Sequence, residues 1–191
     1  MISKINNEVL KIEFKIFGSI CYLINKEILI DAGSIETRTE LIEDFKKNKL
    51  NFNDVKTILL THLHWDHIGN ISLFSNAKVY CSKKEIESFQ EDRTDFIRMQ
   101  DLSLLPELDK IKLQDIKQLK NKNFQIIEVP GHTIGSLAFL YKGILFSGDT
   151  LFDKQGFSIG RTDLPASVPE KMKESVNKLL KIKFKILCPG H

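Results

Sequence analysis

Five histidines fall in three short segments, each behind an apolar run. His62, His64, Asp66 and His67 crowd into THLHWDH after VKTILL. His132 stands in VPGHT, Asp149 in SGDT after GILF, and His191 in CPGH. Three imidazoles and a carboxylate in so short a stretch repel one another when the rings are protonated, whereas a shared cation makes the crowding favourable. A catalytic metal needs nitrogen and oxygen ligands at about 2.0–2.2 Å with one position left open. In His-x-His two imidazoles can point to the same side of a short extended loop. Asp66-His67 then turns to a neighbouring position, which suits two metals more naturally than one. Taken singly, His132 or His191 would be an ordinary loop residue; the cluster recruits them and Asp149. Bound metal lowers the pKa of water from about 15.7 to about 7, so such a centre readies a hydroxide nucleophile.

The remote ligands are far apart in sequence, so a sheet must set where their loops begin. Strands are expected over Val9 to Phe17, with Ile12, Phe14 and Ile16 on one face, over Ile20 to Ile24 and over Glu27 to Gly33, with a tight turn at Asn25-Lys26. A helix is expected over 36–50, its stripe formed by Leu41, Ile42 and Phe45. The strands Val55 to Leu60 and Ala77 to Ser82 follow, the second leading into the helical KKEIESFQ. Residues 92–118 resist assignment; Met99, Leu102, Leu104 and Leu105 ahead of Pro106 suggest helical or lid-like material. Strands return at Phe124 to Val129, Ser136 to Tyr141 and Gly143 to Asp149. Ser167 as N-cap, Pro169 in the first turn and Glu170 predict a final helix with Met172, Val176, Leu179 and Leu180 buried. KILCPGH supplies a last strand. Each half puts a histidine-bearing loop after a strand, which suggests two αβ halves placed face to face.

The 191 residues suit one domain, 1–191. A net charge of +3, from 28 basic and 25 acidic residues spread along the chain, does not argue for a nucleic-acid or membrane partner, and none is expected. No apolar run reaches the roughly 18 residues of a membrane span. The N-terminal stretch breaks its apolar runs with Lys and Glu, unlike a secretory signal. Cys21, Cys81 and Cys188 are too few and scattered for a disulfide framework. A cytoplasmic protein acting on a small molecule is expected; its oligomeric state is not legible.

Thr61-His62-Leu63-His64-Trp65-Asp66-His67 resembles the His-x-His-x-Asp-His signature of the metallo-β-lactamase-fold superfamily. Gly131-His132-Thr133, Gly148-Asp149-Thr150 and Pro189-Gly190-His191 resemble its remaining ligand motifs in the right order. The resemblance implies an α/β fold, a four-layer αβ/βα sandwich with the metals at one edge between two mixed sheets. It implies two divalent ions, zinc above all, with iron or manganese as alternatives. His62, His64 and His132 would hold the first and Asp66, His67 and His191 the second, with Asp149 bridging. Asp66 and Asp149 would serve catalysis as well. THLHWDHIGN and the segment from Ser158 to Pro165 look most like the hydroxyacylglutathione hydrolase (glyoxalase II) branch. That points to a dinuclear thiolester hydrolase acting on an S-acyl or S-lactoyl glutathione-type substrate through a metal-bridging hydroxide. Two departures stand out: the usual glycine pair reads Gly69-Asn70, and the sequence stops at His191 without the C-terminal helical extension by which glyoxalase II helps hold glutathione.

Around the ligands, Asp31 in DAG is a candidate hydrogen-bond partner of a ligand histidine. Thr61 and Thr150 flank ligands and are candidates to order their loops. Arg161 in GRTD has two readings, a bidentate grip on a substrate carboxylate or an internal pair with Asp163. The competing functions are a persulfide dioxygenase, whose single iron would sit on His62, His132 and Asp149, a lactone hydrolase, and a metal-binding module without turnover.

Overall fold

The computed structural model describes residues 1–15, 19–97, 103, 105–156 and 158–191, and its strands fall into two sheets. The first holds β1 (Ile2–Lys4), β2 (Val9–Glu13), β3 (Ile20–Ile24), β4 (Ile28–Ile30), β5 (Thr57–Leu59), β6 (Lys78–Cys81) and β7 (Leu113–Asp115), side by side in chain order. Neighbours from β1 to β4 are antiparallel, and those from β4 to β7 are parallel. The second sheet comprises β8 (Phe124–Glu128), β9 (Leu137–Tyr141), β10 (Ile144–Gly148) and β11 (Ile186–Pro189), in the order β11-β10-β9-β8. Only β10 and β11 run parallel there. Parallel neighbours need a crossover. Helices α1 (Arg38–Lys47) and α5 (Pro169–Leu180) supply two of them, and α3 (Lys83–Glu91) lies in the connection from β6 to β7. The shorter α2 (Trp65–Ile68) and α4 (Leu105–Leu108) complete the α-helices of the described residues.

Both faces of each sheet are covered, which is why the strands read as nearly unbroken apolar runs. Successive side chains alternate between faces. Leu23, Leu29 and Ile58 turn outward to pack with Leu41 and Phe45 of α1 and Phe89 of α3. Ile24, Ile30 and Leu59 turn inward, where they meet Phe139, Tyr141 and Phe146 of the second sheet. Behind that sheet, Ala138 and Leu145 receive Met172, Val176 and Leu179 of α5. The layers are helix, sheet, sheet, helix, as the resemblance implies. Between β3 and β4, Asn25 and Lys26 have φ of 50° and 62°, the two positive values of a type I′ turn. Glu27 N–H donates to the Ile24 carbonyl at 3.0 Å to close it.

Several local expectations need correction. The first long strand ends as β2 at Glu13. Phe14 is buried, while Ile16 and Phe17 lie outside the described residues. The helix over 36–50 narrows to α1, preceded by a 3-10 turn at Ile35–Thr37. Ile42 is 43% exposed, because about 100° of rotation per residue carries it off the Leu41–Phe45 stripe. Leu180 likewise leaves the α5 stripe and is 37% exposed. Val168, not Ser167, is the N-cap of α5. The Ser167 hydroxyl instead donates to the His132 carbonyl at 2.8 Å. Within 92–118 the structure places α4 and β7, and Leu105 packs on the first core; Met99, Leu102 and Leu104 are outside the described residues. Among the described residues, no helix is long and apolar enough to cross a membrane.

Candidate metal centre

The seven side chains singled out in the sequence come together at one edge of the sandwich. His62 and His64 follow β5, and His64 caps α2, which carries Asp66 and His67. His132 follows β8, Asp149 follows β10 and His191 follows β11. Both sheets therefore contribute. Backbone bonds fasten them here: Leu137 N–H donates to the Thr61 carbonyl at 2.8 Å, and Ile20 N–H to the Gly190 carbonyl at 2.8 Å. The Tyr22 hydroxyl donates to the Pro189 carbonyl at 2.8 Å. A Cβ on Gly190 would stand 2.2 Å from Asp149 Oδ1 and 2.9 Å from His67 Cε1, so only glycine lets the last strand approach its neighbours.

Two triplets offer ligand atoms within 4.8 Å of one another: His62, His64 and His132, and Asp66, His67 and His191. A third, His62, His67 and Asp149, joins them. Asp149 reaches both sides. Its Oδ1 lies 3.4 Å from His67 Nε2, and its Oδ2 lies 3.5 Å from His132 Nε2 and 3.2 Å from His191 Nε2. Asp66 Oδ2 is 3.3 Å from His191 Nε2. His64 Nδ1 faces His132 Nε2 at 2.9 Å.

The partners behind the rings fix their tautomers. Asp31, at φ 55° after β4, accepts from Thr61 N–H through Oδ1 at 2.8 Å, and from the Thr61 hydroxyl and His67 Nδ1–H through Oδ2 at 2.8 and 2.9 Å. With its proton given to Asp31, the Thr61 hydroxyl accepts from His62 Nδ1–H at 2.9 Å. His132 Nδ1–H donates to the Arg161 carbonyl at 2.7 Å. Each of these rings, when neutral, thus turns an Nε2 lone pair inward. His62 Nε2, His64 Nε2, His67 Nε2 and Asp149 Oδ1 are buried with no hydrogen-bond partner. Leaving a buried polar group unpaired costs about 1–3 kcal/mol each, and cations in the triplets would answer His62 Nε2, His67 Nε2 and Asp149 Oδ1, while His64 meets the centre through Nδ1. The donor set, imidazole nitrogen and carboxylate oxygen, fits a divalent transition metal.

Charge divides the site in two. Burial and the neighbouring histidines hold His62 far below the usual imidazole range and His64 at about 3, so both stay neutral. Burial also lowers His132. On the other side burial opposes ionisation of Asp149 and Asp66, but His67 and His191 outweigh it and both carboxyls are lowered. Against the same burial, the carboxylates raise His67 to about 9 and His191 to about 10. That half attracts positive charge.

The rest of the candidate set divides. Asp31 and Thr61 bond to the rings of His67 and His62. The Thr150 hydroxyl is buried without a partner, and its N–H donates to Ser147 O at 3.2 Å. Arg161 pairs with Asp163 through Nε and Nη2 at 2.9 and 2.8 Å, with both side chains well exposed. It meets His132 through its backbone. Asn70, in place of the second glycine, has φ −112° and needs no glycine; its amide donates to Ala32 O, Ser34 O and Thr37 Oγ1. Sequence reasoning missed Glu85. Fully buried on α3, it accepts from Leu63 N–H, the Thr133 hydroxyl and Gly135 N–H. Burial raises it to about 7 against the pull of those three donors. One of two glutamates in KKEIESFQ, it looks like any solvated helix residue, so no local signal marks it.

A cavity of about 560 Å³ opens over the centre. Its wall is largely apolar, formed by Trp65, Phe96, Ile97, Phe152, Ile159, Leu164 and Pro165, with Asp95 and Arg161 also on its lining.

Residues 16–191 match the family model described as Metallo-beta-lactamase superfamily. The chain is 32% identical over 194 residues to "Probable metallo-hydrolase MJ0888" of Methanocaldococcus jannaschii, covering 96% of this chain and 92% of that one. It is also 32% identical over 178 residues to hydroxyacylglutathione hydrolase GloC of Haemophilus influenzae, covering 87% and 80% respectively. Among solved structures, TTHA1623 in a di-iron-bound form superimposes with a TM-score of 0.70 at 25% identity, over 95% of this chain and 91% of that one. The chain belongs to the metallo-beta-lactamase superfamily, as a metal-dependent hydrolase.

Proposed function

We propose that the chain hydrolyses a small thioester, with one divalent ion held by His62, His64 and His132, a second by Asp66, His67 and His191, and Asp149 shared between them. The observation that carries this reading is the convergence of seven donors, among them His62 Nε2, His67 Nε2 and Asp149 Oδ1, buried and unpartnered. When bound, such ions acidify water to a pKa of about 7 and polarise a carbonyl. The chain supplies the rest. Thr61 and the Arg161 carbonyl hold His62 and His132 in the tautomers that face the centre. Asp31 does the same for His67. Asp66 lines the cavity and is held ionised. Asp149 Oδ1 and Oδ2 span the two triplets. The wall of Trp65, Phe96 and Phe152 offers an apolar surface to the acyl or thiol arm and excludes water from it.

The likeness to a hydroxyacylglutathione hydrolase supports the thioester class. Arg161 is proposed as a rim contact for a substrate carboxylate, which would compete with Asp163 for the guanidinium. The test is zinc-restored protein against S-lactoylglutathione, other S-acyl thiols and lactones, with metal quantified. Thioester turnover with two zinc ions per chain is expected. Intact thioesters throughout refute the proposal, and one iron per chain with oxygen uptake on a persulfide favours the dioxygenase reading instead.

A further inference from the structure

Glu85 lies outside the cavity wall, one layer behind the ligands, at zero exposure. Its Oε1 accepts from Leu63 N–H at 2.9 Å, and Leu63 is the residue between His62 and His64. Its Oε2 accepts from the Thr133 hydroxyl and from Gly135 N–H, both at 2.9 Å, in the loop that carries His132. One carboxylate thus holds two loops that belong to different sheets. Its own position is fixed in turn. Ser82 caps α3 by accepting from Glu85 N–H at 3.1 Å. A Cβ on Gly135 would lie 2.4 Å from Ser82 Oγ and 2.5 Å from Glu85 N, so the His132 loop rests directly on the start of the helix. Thr133 N–H also donates to Ser136 Oγ at 3.1 Å, which closes the loop on itself.

A buried carboxylate is a poor device for stability, since a packed apolar side chain of similar volume often does as well or better. It is a good device for setting backbone: two oxygens in a fixed plane accept several N–H and O–H donors at defined spacing. The Glu85 carboxylate bonds to Leu63, Thr133 and Gly135, and to none of Asp66, His67, Asp149 or His191 among the described residues.

We propose that Glu85 is a positioning residue for the tri-histidine half of the centre, its carboxylate setting the His62–His64 loop against the His132 loop at the spacing where three imidazoles meet one ion. This rests on reading His62, His64 and His132 as a metal triplet. Glu85→Gln keeps the shape but turns an amide N–H₂ toward at least one of the three donors, leaving a buried backbone N–H or hydroxyl without an acceptor.

The test is Zn²⁺ affinity by chelator competition in two backgrounds. In His191→Ala the remaining affinity reports the triplet; in His132→Ala it reports the Asp66–His67–His191 half. Replacing the partner behind a metal ligand typically costs about 10–100-fold in metal affinity, and that loss is expected for Glu85→Gln in the His191→Ala background. No change is expected in the His132→Ala background. Melting of the metal-free proteins gives the purely structural cost. Equal losses in both backgrounds that track the fall in melting temperature overturn the proposal, as does no loss in either. An unsubstituted chain that takes up no Zn²⁺ overturns the metal reading itself, and the proposal with it. Should Glu85→Gln not fold, Thr133→Val removes one donor and is expected to weaken the triplet alone, while Thr133→Ser restores it; the same affinity in all three chains overturns the proposal.

Discussion

Asp31→Asn gives the sharpest test of how the ligand rings are oriented. Asp31 Oδ1 receives Thr61 N–H, and Oδ2 receives both the Thr61 hydroxyl and His67 Nδ1–H. With Oδ1 kept on the Thr61 amide, the new N–H₂ takes the place of Oδ2. The threonine hydroxyl can rotate and accept from it. The neutral His67 ring that a metal requires cannot keep its proton on Nδ1 facing another N–H, so that proton moves to Nε2, the atom turned toward Asp66 and Asp149. Protonated there, His67 has no lone pair for a metal. Loss of such a partner behind a ligand typically costs about 10–100-fold in affinity, or about 1.4–2.7 kcal/mol. The metal-free protein also loses a charge-assisted bond, typically about 1.5–3 kcal/mol. Chelator competition should show the Asp66–His67–His191 half weakened within that range, urea unfolding should show the second loss, and long-range ¹H–¹⁵N spectra of the imidazoles should show the tautomer change. A variant with His67 still protonated on Nδ1 and unchanged Zn²⁺ affinity refutes the reasoning.

His191→Ala should lower zinc stoichiometry from two ions per chain to one, by elemental analysis after desalting, because only the Asp66–His67–His191 triplet loses a donor. Phe139→Ala, at zero exposure between the sheets, should cost about 3–5 kcal/mol in urea unfolding. Hydrogen bonds from Arg38 and Ser72 hold Glu107 at about 2, below its usual 4.5. Its folded pKa is the lower one, so the stability it contributes is present above pH 4.5 and is lost as pH falls toward 2. The pair is partly exposed and screened, so the effect is small, and Glu107→Gln should flatten the acid limb of a melting-temperature profile over that window.

The strands were legible because burial on both faces makes them dense apolar runs, and the Asn25-Lys26 turn because a two-residue loop between such runs admits few geometries. The seven-donor cluster was legible because its residues have few other reasons to crowd. What stayed hidden depends on distant partners. Ser167 has the sequence of a helix cap, yet its hydroxyl serves the His132 carbonyl, a partner that exists only after the sheets stack. Ile42 and Leu180 count as stripe residues by type, but the angle around the helix turns them to solvent. Glu85 gave no sign because its three donors come from segments far from it in sequence. β1 and β7, three residues each at the two edges of the first sheet, are too short for periodicity to register.

The candidate ligands straddle the seam of the sandwich, four after strands of one sheet and three after strands of the other. An ion held by them would therefore be a rivet as much as a reagent. Ligation at a hundredfold excess over the dissociation constant adds about 2.7 kcal/mol to the folded state. In a starved medium the seam should gape first, and proteases should cut this edge before any other, so the lifetime of the polypeptide becomes a gauge of the metal around it.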